Sequence, residues 1–230
     1  VPYPARAISL VDPIMSLTLR AGLSWCICAR RAVFLDLSGD RYFCLPESLD
    51  QVFQRWVAGE TIEQAAQDAL IAAGVAELGD GGLPIASSHA VAIRDFAVGT
   101  RARSLRDTVA AIAGQLIARR RLKRLTLASI VANHLASRTD GPGRPRDETV
   151  LRRIAGAFVA SGTLLRAADQ CLPRAIAARR LCRSRGQDVA LIFGVRLNPF
   201  AAHSWVQAGD AVVVGDLEQV RLYTPILVVR

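Results

Sequence analysis

Apolar and polar positions divide this chain into a β-rich start, a helical middle and a β-rich end. Ser24-Trp25-Cys26-Ile27-Cys28 and Ala32-Val33-Phe34-Leu35-Asp36-Leu37 hold the β-branched and aromatic residues that suit strands. Ser38-Gly39-Asp40-Arg41 is a turn signal, so Tyr42-Phe43-Cys44-Leu45 reads as the returning strand. Pro46-Glu47-Ser48 opens a helix in which Leu49, Val52, Phe53 and Trp56 recur at helical spacing, and Gly59 closes it. Thr61 is placed to cap a second helix, with Gln64 completing a capping box and Ile62, Ala65, Ala66, Ala69 and Leu70 as its apolar stripe. Three short strands followed by short helices predict a small winged-helix-like domain over residues 17–80.

Gly79-Asp80-Gly81-Gly82-Leu83-Pro84 breaks the pattern, and little periodicity follows before Thr100, which predicts a linker over 79–100. Leu105, Val109, Ile112 and Leu116 then space as one helical seam, ending in Arg119-Arg120-Arg121 and Lys123-Arg124. A second helix runs from Leu125 to about Ser137 with Ile130, His134 and Leu135. After Asp140–Pro145, a third from Glu148 sets Leu151, Ile154, Ala155 and Phe158 on one side. Asp188–Val195 has the composition of a buried strand. His203–Ala208 and Ala211–Val214 form a hairpin around Gly209-Asp210, and Tyr223–Val229 adds a last strand. Residues 101–230 thus predict an α+β domain, helices first and then an antiparallel sheet. Residues 1–16, with Pro2, Pro4 and Pro13, read as an irregular lead-in.

The chain has 230 residues, half of them apolar, enough for one large core or two small ones. Its formal net charge of +9 suits nucleic acid, an acidic peptide or another anionic partner. Most of the basic residues are arginines spread singly over helix faces, which fits a solvated surface. No stretch has the run of about 18 apolar residues that a membrane span needs, and the amino terminus does not read as a signal peptide. Five cysteines, an odd number, point to a reduced, cytoplasmic protein rather than a disulfide framework. Cys26 and Cys28 share a strand face, with Cys44 as a possible third ligand. Without a matching histidine pair they read as core residues, and neither a metal nor a cofactor site is predicted.

The chemistry gathers between Asp169 and Asp216. Asp169 can cap a helix that Pro173 favours in its first turn. Cys171 then sits where free backbone N–H groups and the positive end of the helix dipole favour a thiolate and an oxyanion. His203 can serve as base, with Trp205 and Gln207 on the same strand face so that Trp205 shields the imidazole. The hairpin returns Asp216 beside His203, where it can orient the ring; Asp210, the alternative, sits at the turn and far end of the hairpin and reads more as a turn residue. Cys182, among arginines, is a weaker nucleophile, and His134 alone on an apolar stripe reads as structural.

Cys171-Leu172-Pro173-Arg174, then Asn198-Pro199-Phe200, then Ala202-His203-Ser204-Trp205-Val206 resemble the leader peptidase of lasso-peptide biosynthesis, a transglutaminase-like (papain-like) cysteine protease. The hairpin Leu35–Leu45 with Pro46 and the short helices resembles the leader-binding domain of ribosomal-peptide pathways, similar to the peptide chaperone of pyrroloquinoline quinone synthesis. In this order they resemble the fused lasso-peptide B protein family.

The resemblance implies that the first domain adds the precursor's leader peptide as a strand, in a groove shared with a helix. Tyr42, Phe43, Cys44 and Leu45 would line it, with Gln64, Gln67, Asp68 and Ile71 from the helix. The second domain would cleave leader from core with Cys171 as nucleophile, His203 as base and Asp216 as orienter. A separate asparagine-synthetase-like cyclase would close the macrolactam. The family commonly has a smaller residue where Ser204 stands. Two other readings start from the same residues: a winged-helix DNA binder, and an acyl transferase on the protease fold.

Overall fold

The computed structural model describes residues 16–79, 82–99, 104–136, 146–165 and 171–230, with 134–136 as backbone. The lead-in 1–15, Asp169 and the His134 side chain lie outside the described residues. The elements are β1 (Ser16–Leu19), β2 (Leu23–Cys28), β3 (Arg31–Asp36), β4 (Arg41–Cys44), α1 (Glu47–Val57), α2 (Gln64–Ala72), β5 (Ala76–Gly79) and β6 (Arg94–Asp95). They continue with α3 (Leu105–Leu122), α4 (Leu127–Ala136), α5 (Glu148–Leu164), α6 (Cys171–Ser184), β7 (Ala190–Arg196), β8 (Ala201–Ala208), β9 (Ala211–Val214), α7 (Leu217–Val220) and β10 (Thr224–Val229). The fold is α+β, as the sequence pattern predicts.

The described residues form two compact units, 16–21 with those of 46–85, and 22–45 with those from 86 onwards. The expected leader-binding segment, 17–80, therefore contributes to both. In the first unit β1 and β5 pair antiparallel, Leu17 opposite Leu78. Each is too short to stand out by alternation. In α1, Phe53 and Trp56 are buried and meet edge to face at 5.8 Å. The expected capping box does not form: α2 begins at Gln64 itself, with Glu63 at the N-cap and no side-chain cap bond. Gln64 is thus two positions too early to reach back, and its amide donates to Asp68 Oδ1 instead at 2.9 Å.

The second unit holds two sheets. β2, β3 and β4 form an antiparallel meander in which Trp25, Phe34 and Phe43 make one rung. Phe34 and Phe43 stack at 5.1 Å. Cys26 and Cys28 are buried there. The Cys26 thiol is pushed up to about 12 by burial, with Cys28 and Cys44 adding to the effect.

The larger sheet has the order β10-β7-β8-β9-β6. β7 is covered on both faces: Leu191, Phe193 and Val195 join the main helical core, while Ala190 and Ile192 join a smaller cluster with Trp205, Val212 and Val220. Within the stretch expected to link domains, Arg94–Asp95 pairs in parallel with Ala211–Val212, and Phe96 is buried. A two-residue strand leaves no period to read.

The helices that cover this sheet differ from the pattern at α3. Leu105, Val109 and Leu116 are exposed, and α3 buries Asp107, Ala111, Gln115 and Ala118 instead. The reason is a close crossing with α6, where a Cβ on Gly114 would stand 3.2 Å from Ala177 Cβ. Such an approach admits small side chains only. The two polar residues on that face are satisfied: Gln115 donates to Ser161 Oγ at 2.9 Å, and Asp107 pairs with Arg153 at 2.7 Å and with Arg185. In α5, Leu151, Ile154, Ala155 and Phe158 are buried as expected.

Candidate active site

Cys171 is the first residue of α6 and carries a half-buried free thiol. Pro173 lies in the first turn, where its missing N–H costs nothing, and the neighbouring N–H groups have no partner within the helix. α6 is anchored by burial of Pro173, Ala175, Ile176, Ala177 and Ala178. The thiol is therefore held on a rigid element.

β8 carries the imidazole. His203, Trp205 and Gln207 alternate with Ser204 and Val206, as expected of a strand. The His203 and Trp205 rings are nearly parallel at 6.2 Å, and Tyr223 lies 5.2 Å from the imidazole. Trp205 Nε1 donates to Gln207 Oε1 at 3.0 Å. The Gln207 amide in turn donates to the carbonyls of Ala90 at 2.6 Å and Gly209 at 2.7 Å, which fixes the indole. Burial pushes the His203 pKa below its ordinary value, and the Asp216 carboxylate opposes that push.

Asp216 follows β9 and caps α7, accepting from the Gln219 N–H at 2.9 Å. The preceding Gly215 has φ +154°, and a Cβ there would stand 3.1 Å from both Trp205 Cβ and Val212 Cγ1. Cys171, His203 and Asp216 line one cavity of about 300 Å³. His203 Nε2 is buried without a hydrogen-bond partner. Among the described residues no hydrogen bond joins the three side chains, so the cavity holds them around a space rather than in a closed chain. Asp210, the alternative carboxylate, is bound by Arg94 at 2.7 and 3.3 Å and does not line this cavity.

Three further polar side chains line the space without having been singled out for chemistry. Arg174 comes from the first turn of α6, and a Cβ on Gly162 would stand 2.9 Å from its Nη1. Burial pushes the Arg174 pKa down. Ser204 is nearly buried, with a hydroxyl that has no hydrogen-bond partner. Gln219 enters through α7. The serine could have been suspected, since it replaces a smaller residue in the motif. The other two depend on helix packing.

The residues expected to bind a leader divide between the units. In the second, Tyr42, Phe43 and Cys44 lie on β4, which pairs with β3 in the order β2-β3-β4. Leu45 follows β4 and is buried. The Tyr42 ring meets Phe200 at 5.7 Å. Its hydroxyl is pushed up to about 12 by burial, then by Cys171 and Asp40. In the first unit Gln64 and Asp68 bond each other on α2, Gln67 donates to the Ile62 carbonyl at 3.1 Å, and Ile71 is half-buried.

Among the described residues no group of three His, Cys, Asp or Glu side chains converges as metal ligands, and no helix is long and apolar enough to cross a membrane.

Comparison with known proteins gives two matches. Residues 108–228 match the transglutaminase-like superfamily. A stretch of 45 residues is 44% identical to the microcin J25-processing protein McjB of Escherichia coli. That similarity covers 20% of this chain and 22% of the relative, so it spans about a fifth of each. No solved structure matches the chain.

Proposed function

The chain belongs to the transglutaminase-like superfamily, and on that premise we propose that it is a cysteine peptidase of lasso-peptide maturation. It binds the leader of a ribosomally made precursor and cleaves it from the core in the cytoplasm, before a partner asparagine-synthetase-like cyclase closes the macrolactam. The observation that carries this reading is the single cavity lined by Cys171, His203 and Asp216. The partial similarity to a protein named for microcin processing supports the choice of substrate.

In the proposed reaction His203 takes the Cys171 proton as the sulfur attacks the scissile carbonyl. Backbone N–H groups at the start of α6 supply donors for the oxyanion, and the Arg174, Ser204 and Gln219 side chains line the same cavity. His203 returns the proton to the leaving amine, and water then hydrolyses the thioester. Asp216 holds the imidazole oriented and balances its charge when protonated.

The leader-binding module is assigned to 17–80, the connection to 79–100 and the peptidase to 101–230. The added leader strand is assigned to β4 at Tyr42–Cys44, followed by Leu45, with main-chain hydrogen bonds as the source of affinity. Gln64, Gln67, Asp68 and Ile71 on α2, in the other unit, are assigned to the leader by the family resemblance alone.

The test is incubation with a candidate leader–core precursor peptide, followed by mass spectrometry. A leader fragment ending in a free carboxylate supports the reading; an isopeptide product instead identifies an acyl transferase. Cys171→Ala should abolish cleavage and keep leader binding.

A further inference from the structure

The cavity around Cys171 holds a cation to which the proposed reaction gives no step. Arg174 follows Cys171 by three positions on α6, so the two side chains leave the same face of the helix. Both line the cavity of about 300 Å³. The guanidinium leans on α5, where Gly162 leaves it room: a Cβ there would stand 2.9 Å from Nη1. The Arg174 side chain is half-buried. Burial pushes its pKa down, and no described carboxylate acts in the other direction, although Asp216 lines the same cavity. Asp216 instead accepts from the Gln219 N–H. A charge held beside a nucleophile with no described counter-charge calls for an anion on the incoming ligand.

We propose that Arg174 determines specificity by binding a substrate carboxylate, so that the peptide cleaved carries an Asp or Glu side chain close to the scissile bond. The inference deepens the peptidase reading and rests on it. The planar guanidinium fork matches the two oxygens of a carboxylate. In an unmodified peptide that group is an acidic side chain or the chain terminus. Release of a leader from a core breaks an internal bond, which leaves the side chain.

Two arms test this on the full chain. In the first, iodoacetate and iodoacetamide alkylate Cys171, the sulfur displacing iodide while the thiol proton passes to buffer. The exposed Cys44 is the internal reference, read by mass spectrometry. The iodoacetate-to-iodoacetamide rate ratio should be higher at Cys171 than at Cys44. At Cys171 it should fall about tenfold in Arg174→Gln, as one charge-assisted hydrogen bond is lost, and less in Arg174→Lys. Gly162→Ala gives α5 a better helix former but displaces the guanidinium, so it should lower the ratio with no fall in Tm. In the second arm, the Asp and Glu residues beside the cleaved bond of the precursor are exchanged for Asn and Gln. That exchange should lower kcat/KM about tenfold for the parent chain and leave Arg174→Gln indifferent. An unchanged ratio in Arg174→Gln, or parent cleavage indifferent to the acidic residues, would overturn the assignment. A precursor left intact while the ratio behaves as expected would overturn the peptidase reading and support the carboxylate site.

Discussion

Gly194 and Trp205 approach so closely that a methyl group on residue 194 would stand 2.7 Å from Trp205 Cζ3 and 3.0 Å from Tyr223 Cβ. Gly194 is also the cross-strand partner of His203. The missing side chain lets two aromatic residues close around the imidazole. Gly194→Ala should therefore cost about 1–3 kcal/mol by overpacking, read by urea unfolding. It should also lower the proposed peptidase activity by displacing the rings that pack against His203. Unchanged unfolding and unchanged activity together would refute this account of the pocket wall.

Asp216 and Asp210 can be separated by substitution. Asn caps helices about as well as Asp, so Asp216→Asn should keep α7 and the Tm while losing the charge that supports His203. Cleavage should fall by about 10²–10⁴-fold, by analogy with the loss of a triad carboxylate. Asp210→Asn, which disturbs the exposed pair with Arg94, should leave kcat/KM unchanged. The reverse outcome would transfer the orienting role.

The depressed pKa of His203 has a definite sign. As pH falls, the unfolded chain binds the imidazole proton first. Stability should drop from about pH 6.5, the ordinary histidine value, down to the lower folded value, and then level off. His203→Gln should remove that component from the pH dependence of Tm. In the active protein the acid limb of kcat/KM should lie below 6.5; a limb at or above it would contradict a base buried in this way.

Asp107 titrates in the other direction. Burial works to raise its pKa, but Arg185 and Arg153 together hold it below the usual carboxylate value. Its contribution to stability should be complete above about pH 4 and be lost as pH falls through the folded pKa. Asp107→Asn leaves two arginines without their shared anion and should cost about 3 kcal/mol. Chemical denaturation at pH 7 and pH 3 measures both effects, and a variant as stable as the parent at pH 7 would dismiss the bridge.

The outward seam on α3 makes a simpler prediction. Leu105→Ser with Val109→Ser should change stability by no more than about 0.5 kcal/mol per site, the range for exposed substitutions. A loss of several kcal/mol would return this seam to a buried interface.

What the amino-acid order determined by itself was local: the strands at Trp25–Cys28, Phe34 and Leu191–Val195, the hairpin around Gly209-Asp210, and the helix that begins at Cys171. Each rests on periodicity, turn residues or first-turn proline chemistry acting over a few positions. The α3 stripe went the other way. Leu105, Val109 and Leu116 carry the apolar period, yet backbone approach at Gly114 selected the small residues for burial. Tertiary structure also assembled the larger sheet's parallel edge from Arg94–Asp95 and joined the β2–β4 meander to the second unit. In the cavity it added Arg174, Ser204 and Gln219 to Cys171, His203 and Asp216. Such choices depend on how closely backbones can approach and which charges remain paired once water is excluded, and neither is encoded in the spacing of residues along the chain.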